Sequence, residues 1–446
     1  MRILPHNLMA FSYFLVVIVA YAVMAIWYPI AYMWATYEDL YGEWAQTFYF
    51  TLAFVFSITL AITRSQQRLF FSLLAAALFY VVMEEISWGQ RIIGFETPEL
   101  LMEHNIQQEA NLHNLLTGPI DTWIKRALEY VLATAFVGYG LIYPLLIRSP
   151  ITWLKQLESR WLPAPPLYLW PYFVVAAYLE LDYLDFNEAE VAEVLIGAAM
   201  TIFCAHYWFA RQRNLDVHRP VDWPPAVSWR LALLLMGVIA LNGFLSIVTT
   251  QVLYRNPVNT VKTDNRLLNG YEKFADRYAG YDRWQHAIDL YLIVHRTEPS
   301  RTSVMRRLAD IYQKSGNIHG FNKYNQMALN ILLAMQAENP NKASTHLALY
   351  FTYRQRGLAS RAVYHLQQAH ALTKQRYEQS PESANSAYWL AKTYRELGDW
   401  RSASEYFRQA FEREPATMKY RKAYFAMKQY TGQGVAQESE GDNDDE

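Results

Sequence analysis

A single cysteine, Cys204, stands in 446 residues. It lies in an apolar run, and alone it can form no internal disulfide. Charge of one sign is also lacking, because 40 Lys and Arg balance 41 Asp and Glu to a formal net charge of -1. That balance leaves no electrostatic footprint for nucleic acid. Several motifs that carry common chemistries are missing: no H-E-x-x-H, no G-x-S-x-G elbow, no glycine-rich phosphate loop and no C-x-x-C pair. These absences exclude a disulfide scaffold and remove any motif-based enzyme assignment.

What is present divides the chain in two. The mean hydropathy of -0.07 averages over unlike halves. Residues 1 to about 250 are dense in Leu, Val, Ala, Phe, Tyr and Trp, while 260 to 446 are mixed polar and charged. Apolar runs fall at 8–33, 46–63, 69–88, 122–147, 167–184, 191–210 and 229–250. About 20 apolar residues cross a bilayer core, so these runs predict seven transmembrane helices. The first run is too long to be a cleaved signal segment.

Basic residues orient the bundle. Arg64 and Arg68, then Arg148, Lys155 and Arg160, then Arg211, Arg213, Arg219 and Arg230 occupy one set of connections. Glu38, Asp39 and Glu43, then Asp182, Asp185, Glu188 and Glu190, occupy the alternate set. This pattern puts the N-terminus in the cytoplasm and everything after the seventh span outside it.

The polar half carries a repeat. In "SAYWLAKTYRELGDWRSASEYFRQAFEREP", from Ser386 to Pro415, small residues at Ala387, Ala391, Ala403 and Ala410 alternate with Leu390, Tyr394 and Phe407 around Gly398. The small residues let two antiparallel helices approach, and the large ones fill the space between them. Gly398 reads as the turn where any side chain would obstruct the paired helices. The segment resembles the tetratricopeptide repeat (TPR) along its full length. Three earlier copies carry the pattern less fully, at Tyr271, Ala275, Tyr278 and Ala287, at Leu308, Ala309, Tyr312 and Gly316, and at Tyr353, Gly357, Ala362 and Ala369. The second helices of the two middle copies run on toward Pro340 and Pro381. The resemblance implies an α-solenoid with a concave groove for a protein or peptide partner, and no chemistry.

One polar stretch interrupts the membrane half. "MEEISWGQRIIGFETPELLMEHNIQQEANLHN" begins at Met83. Glu84 falls roughly 22 Å along a helix counted from Leu69, toward the far side of the bilayer core. Helical spacing groups Glu84, Ser87, Trp88 and Arg91. Thr97 and Pro98 start a short helix, and a second, ending at Gly118-Pro119, places Glu109 and His113 on one face. Glu190 and Glu193 enter the sixth span from the same side. Intramembrane ionisable groups are costly and mark functional sites by default. Glu84, Glu85, Glu109 and His113 are the candidate catalytic residues. Glu85, His113, Glu190 and Glu193 could ligate a divalent metal. The bland reading pairs the glutamates with Arg91 or with water.

A seven-span bundle with Glu and His ligands is similar to the ceramidase and adiponectin-receptor class. That class carries paired histidines in its late helices, whereas His206 stands alone here, so the assignment is not adopted. The "EEISWGQR" segment resembles one in uncharacterised bacterial polytopic membrane proteins, which implies a bacterial inner membrane and no activity. The histidines of the repeat helices, His286, His295, His346, His365 and His370, lack ligand spacing and read as packing or surface residues.

The sequence thus predicts an all-α protein, a seven-helix transmembrane bundle followed by a TPR-like α-solenoid. Its parts are a membrane domain at 1–250 with an outer-face polar loop at 84–121, a linker at 251–264, repeats at 265–430 and a disordered acidic tail at 431–446. Two functions fit: a membrane-anchored adaptor whose periplasmic repeats bind a protein in an envelope process, or a hydrolase or transferase acting on a lipid at the outer leaflet. Either contacts the lipid bilayer, and neither contacts nucleic acid.

Overall fold

A computed structural model describes residues 5–37, 40–63, 67–93, 95, 97, 110, 123–213, 215, 223–255, 257–415, 417 and 419–428. The described chain is all-helical, and its internal contacts divide it into two units, Met1–Arg277 and Tyr278–Glu446.

The first unit contains α1 (Pro5–Trp27), α2 (Pro29–Thr36), α3 (Tyr41–Thr63), α4 (Arg68–Glu85), α5 (Trp123–Val137), α6 (Thr152–Arg160), α7 (Trp170–Leu179), α8 (Glu188–Gln212) and α9 (Pro225–Tyr254). Most of α10 (Pro257–Gly280) also belongs to it. Among the described residues five helical stretches are long and apolar enough to cross a membrane: Pro5–Trp27, Pro29–Thr63, Lys125–Leu146, Glu188–Gln212 and Pro225–Tyr254.

That is two fewer than the apolar runs suggest, for local reasons. The run at 69–88 becomes α4, whose 18 residues include Arg68, Glu84 and Glu85. The run at 167–184 yields only the ten residues of α7, opened by Pro171. The first run is cut as well. Tyr28 leaves helical geometry (φ -130°, ψ 67°) before Pro29, as the ring of a following proline demands. The Tyr21 hydroxyl then donates to Ala35 O at 3.4 Å, across 14 residues. A straight helix would separate those residues by about 21 Å, so the chain doubles back at Tyr28.

Helix α8 is the axis of this unit. Most of its length is buried, including Val191, Leu195, Ala198, Ala199, Phe203 and Ala205. Small residues let neighbours close in: a Cβ placed on Gly197 would stand 3.0 Å from the Tyr49 Cβ on α3. Phe14, Phe50, Phe71, Tyr172, Phe173 and Leu235 from the surrounding helices complete the core. The outward face of α9 shows the opposite pattern, with Leu233, Phe244 and Val252 about 60% exposed. A broad exposed apolar face on a long helix suits lipid rather than water.

The segment at 251–264 is helical on both sides of residue 256, and α10 folds back onto the unit. Phe274 packs against Tyr32 and Phe186. The Trp34 indole donates to the Tyr271 hydroxyl at 2.9 Å, and Arg277 pairs with Asp185 at 2.6 Å. Tyr271 and Ala275, positions of the first repeat copy, therefore lie in this unit, where Tyr271 meets α2.

The second unit contains α11 (Trp284–Thr297), α12 (Thr302–Lys314), α13 (Ile318–Glu338), α14 (Ala343–Gln355), α15 (Ala359–Gln379), α16 (Ala384–Leu397) and α17 (Trp400–Arg413). Each helix packs on the next, most extensively within the pairs α12/α13, α14/α15 and α16/α17. The long second helices are there: α13 and α15 span 21 residues each, α11 and α17 only 14. Ala387, Ala391, Ala403 and Ala410 are fully buried where α16 crosses α17. Gly398 needs a different explanation from crowding, because a Cβ there would meet nothing within 4 Å. Its φ is +84°, and Gly316 and Gly357 hold +79° and +72° at the matching turns. Left-handed backbone, free for glycine and strained for other residues, is the requirement. The helix after each of two of these turns is then capped, by Asn317 on Gly320 N and by Asp399 on Ser402 N.

The repeat histidines are not all isolated. His346 on α14 and His365 on α15 bring their Nδ1 atoms to 3.0 Å. His346 Nε2 donates to Pro340 O at 2.8 Å, so His346 Nδ1 accepts from His365. Burial, and then His346, push the pKa of His365 down to about 4 from its usual 6.5. The unfolded chain therefore binds the proton first on acidification. Stability from this pair should be complete above pH 6.5 and decline as pH falls toward 4. In calorimetry of the whole chain, the C-terminal transition should fall in temperature over that window, and His365→Gln should flatten the slope. An unchanged slope in the variant would contradict the neutral pair.

Candidate functional site

The polar stretch after α4 is not a continued helix. The helix ends at Glu85, and Ser87, Trp88 and Gly89 all adopt positive φ. This break still brings the Trp88 indole back to donate to Glu84 Oε1 at 2.6 Å. Glu84 is thereby held beside Trp88 at the helix end. Beyond it, Gln90 donates to Phe95 O and to the Thr97 hydroxyl, and accepts from Ala110 N at 2.8 Å. Glu109, His113 and the side chain of Arg91 lie outside the described residues.

Glu85 points elsewhere, as adjacent helical positions about 100° apart require. Its Oε2 accepts from the Gln46 amide on α3 at 2.9 Å. The same amide is within hydrogen-bonding reach of Glu193, near the start of α8. Gln46 thus bridges carboxylates from α4 and α8. Glu193 is also within electrostatic range of Glu43 and Glu180, and Glu180 of Glu129 and Lys125. Carboxyl groups from α3, α4, α5, α8 and the end of α7 converge there.

Two of the four expected metal ligands, Glu85 and Glu193, share Gln46. Glu190 neighbours Tyr21. Among the described residues no three His, Cys, Asp or Glu side chains form a metal-binding group. Other acids of the same end have structural duties. Glu188 accepts from the backbone N–H groups of Leu184 and Phe186, and Asp185 receives Arg277.

Chemically, this is a group of carboxyls gathered around one buried amide. Glu85 and Glu193 share the Gln46 amide, whereas Glu129 is paired with Lys125 at 3.7 Å and Arg126 at 3.3 Å. Gln46 is 98% buried, at 2% relative exposure, and among the described residues no donor reaches its Oε1. That oxygen can accept from a neutral carboxyl or from a hydroxyl of a bound molecule.

Gln46 and Glu129 were not singled out from sequence. The signal for Gln46 was its spacing: Glu43 and Gln46, three apart at the start of an apolar span, share a helix face. A second polar group had no signal at all. His6 Nδ1 and Ser228 Oγ, 222 residues apart, meet at 2.7 Å, fully buried. His206 lies beside them, 5.8 Å from His6 and stacked on Trp223 at 5.1 Å between ring centroids.

Stability can separate bridge from crowd. Gln46→Leu leaves the partly buried carboxyls of Glu85 and Glu193 without their amide and should cost about 1–3 kcal/mol. Glu193→Gln removes one of the crowded charges and should melt at or above the parent. Equal loss in both variants, measured by thermal unfolding in detergent, would contradict the bridging geometry.

No family model and no curated protein matches this chain. Solved structures similar to part of it include two MamA structures. A MamA protein is 18% identical over 39% of this chain and 86% of its own, with a TM-score of 0.18. A MamA RS-1 ArsTM double mutant is 17% identical over 38% and 84%, also at 0.18. At that TM-score the likeness carries no argument about fold or function.

Proposed function

We propose that the chain is a multi-pass protein of a bacterial inner membrane whose seven spans hold a TPR-like solenoid outside the cytoplasm, as a scaffold for a polypeptide partner in an envelope process. The observation that carries this reading is the cleft of the second unit. Successive helix ends leave a cavity of about 630 Å³ lined by Asn339, Asn341, Lys342, Arg376, Gln379 and Trp389, with two cations and no carboxylate in its lining. Amides and cations around one large aromatic suit main-chain and acidic groups of a peptide.

Orientation has support inside the first unit. Trp34, Asp185 and Asn187 all engage α10 at the end of the bundle where Glu43 and the start of α8 lie. Arg211 and Arg213 close the opposite end of α8. By the positive-inside rule, the arginine end is cytoplasmic and α10 leaves the other. Five spans or seven leave the region after α9 on the same side, since both numbers are odd, and only seven keep Arg148, Lys155 and Arg160 on the cytoplasmic side with Arg64 and Arg211.

The unpartnered Gln46 Oε1 favours a second reading, in which Glu85 and Glu193 exchange a proton with a lipid-borne substrate. In this reading Glu84, Glu109 and His113 would join them.

Two experiments bear on the scaffold. A reporter active only in the periplasm should be active after Gln251 or Lys428 and silent after Arg68. A photo-crosslinking residue at Gln375 or Gln379 should give a discrete protein adduct in cells, and one at the exposed Val363 should not. Reporter activity of the reverse kind, or equal adducts at all three positions, would contradict the reading.

A further inference from the structure

Arg306 and Lys392 are two cations of the second unit that lie within electrostatic range of each other, and neither forms an ion pair among the described residues. Arg306, on α12, lies over the Phe351 ring at 5.4 Å. Its Nε is buried with no acceptor among the described residues, and burial followed by Arg307 pushes its pKa down to about 10. Lys392, on α16, sits over Trp389 at 4.8 Å and Tyr388 at 5.6 Å. Burial, Arg395 and Arg306 lower its pKa, and only Glu396 opposes them. That carboxylate is already engaged, by Arg354 at 3.5 Å and Arg395 at 3.1 Å. Lys392 therefore shares its one acid with two arginines.

An aromatic floor stabilises a cation but supplies no acceptor for its N–H groups. Partly buried cations without a partner are costly, and an arriving carboxylate repays both desolvation and hydrogen bonding. Trp389 also lines the cleft already described, so this anion site adjoins it.

We infer that Arg306 and Lys392 form an anion-binding site, and that it takes the chain's own acidic segment, Glu438–Glu446. This rests on reading the second unit as a polypeptide-binding one. Residues 429–446 contain Glu438, Glu440, Asp442, Asp444, Asp445 and Glu446, with no Lys or Arg. The preceding helical stretch, 419–428, is anchored next to the site. Met427 shares a buried cluster with Ala391, the neighbour of Lys392, and Lys419 lies over the same Tyr388 ring that Lys392 covers. Glu438 lies ten positions beyond Lys428, an extended reach of about 33 Å. A tether that short holds the segment at an effective concentration on the order of millimolar. The tail thereby acts as an internal competitor that an acidic partner segment must displace.

The test uses the whole chain and a chain ending at Lys428, both in non-ionic detergent, with a fluorescent peptide of sequence QESEGDNDDE. The tail-less chain should bind the peptide at least about tenfold more tightly than the intact chain, because the tether no longer competes. In the tail-less chain, Lys392→Gln and Arg306→Lys, each verified by its melting curve, should each weaken binding several-fold. Lys314→Gln, at an exposed cation paired with Asp310, should leave it unchanged, as should adding a peptide with every acid replaced by its amide as competitor. Equal peptide binding by intact and tail-less chains, or binding indifferent to both site variants, would overturn the inference. A tail-less chain that ignores the peptide yet still gives the Gln375 adduct in cells would overturn it and leave the scaffold standing.

Discussion

The first unit depends on one seam, where α8 lies along α3. Glu193, Gly197, Thr201 and Cys204 form a single stripe of α8, and each meets α3 in turn. Glu193 reaches the Gln46 amide, and Gly197 lets Tyr49 come so near that a Cβ there would stand 3.0 Å from the Tyr49 Cβ. The Thr201 hydroxyl donates to Tyr49 O at 2.7 Å, and Cys204 Sγ stands 3.3 Å from Ser57 Oγ. Apolar surface alone cannot set such a register in a bilayer, because lipid is as apolar as the helix. Small residues and specific hydrogen bonds must do it. A side chain at Gly197 would push the helices apart and separate Gln46 from Glu193 with them.

That register is also what makes a functional centre thinkable. Gln46 bridges Glu85 and Glu193 because the seam holds α8 against α3 while α4 packs on the other flank of α3. Glu43 and Glu180 complete the crowd from helix ends. The repeat unit solves a different problem with the same economy. It buries alanines at its crossings, turns on left-handed glycines and leaves Arg306 and Lys392 without an ion pair among the described residues, where an acidic segment can serve them. One unit thus concentrates acid inside a bundle, and the other concentrates base beside a cleft.

How much of this was legible in the sequence varied with the range of the interaction. The repeat pattern of 386–415 carried its pairing openly, since alanine spacing and helix periodicity are local. Its long second helices were readable from the position of Pro340 and Pro381. Local signals were less reliable where several competed. Hydrophobicity through Tyr28 suggested an unbroken span, yet Pro29 overrode it. Gly398 was legible as a turn, but its reason, a φ of +84° with open space around it, was not. The candidate centre was half visible. Glu85 and Glu193 stood out as charges at span ends, whereas Gln46 is an uncharged amide and its bridging role exists only once three helices meet. His6 and Ser228 lay beyond any sequence pattern.

The seam is most directly tested through the lone cysteine. Replacing Ser57 by Cys creates a chain with two thiols, one on each side of the α3–α8 contact, and every other cysteine-dependent signal is absent by composition. Mild oxidation of the full chain in its membrane, followed by intact-mass measurement, should show loss of two hydrogens and an intramolecular disulfide between positions 57 and 204. Two persistently free thiols under oxidant that fully converts a control disulfide pair would contradict the register on which the Gln46 bridge depends.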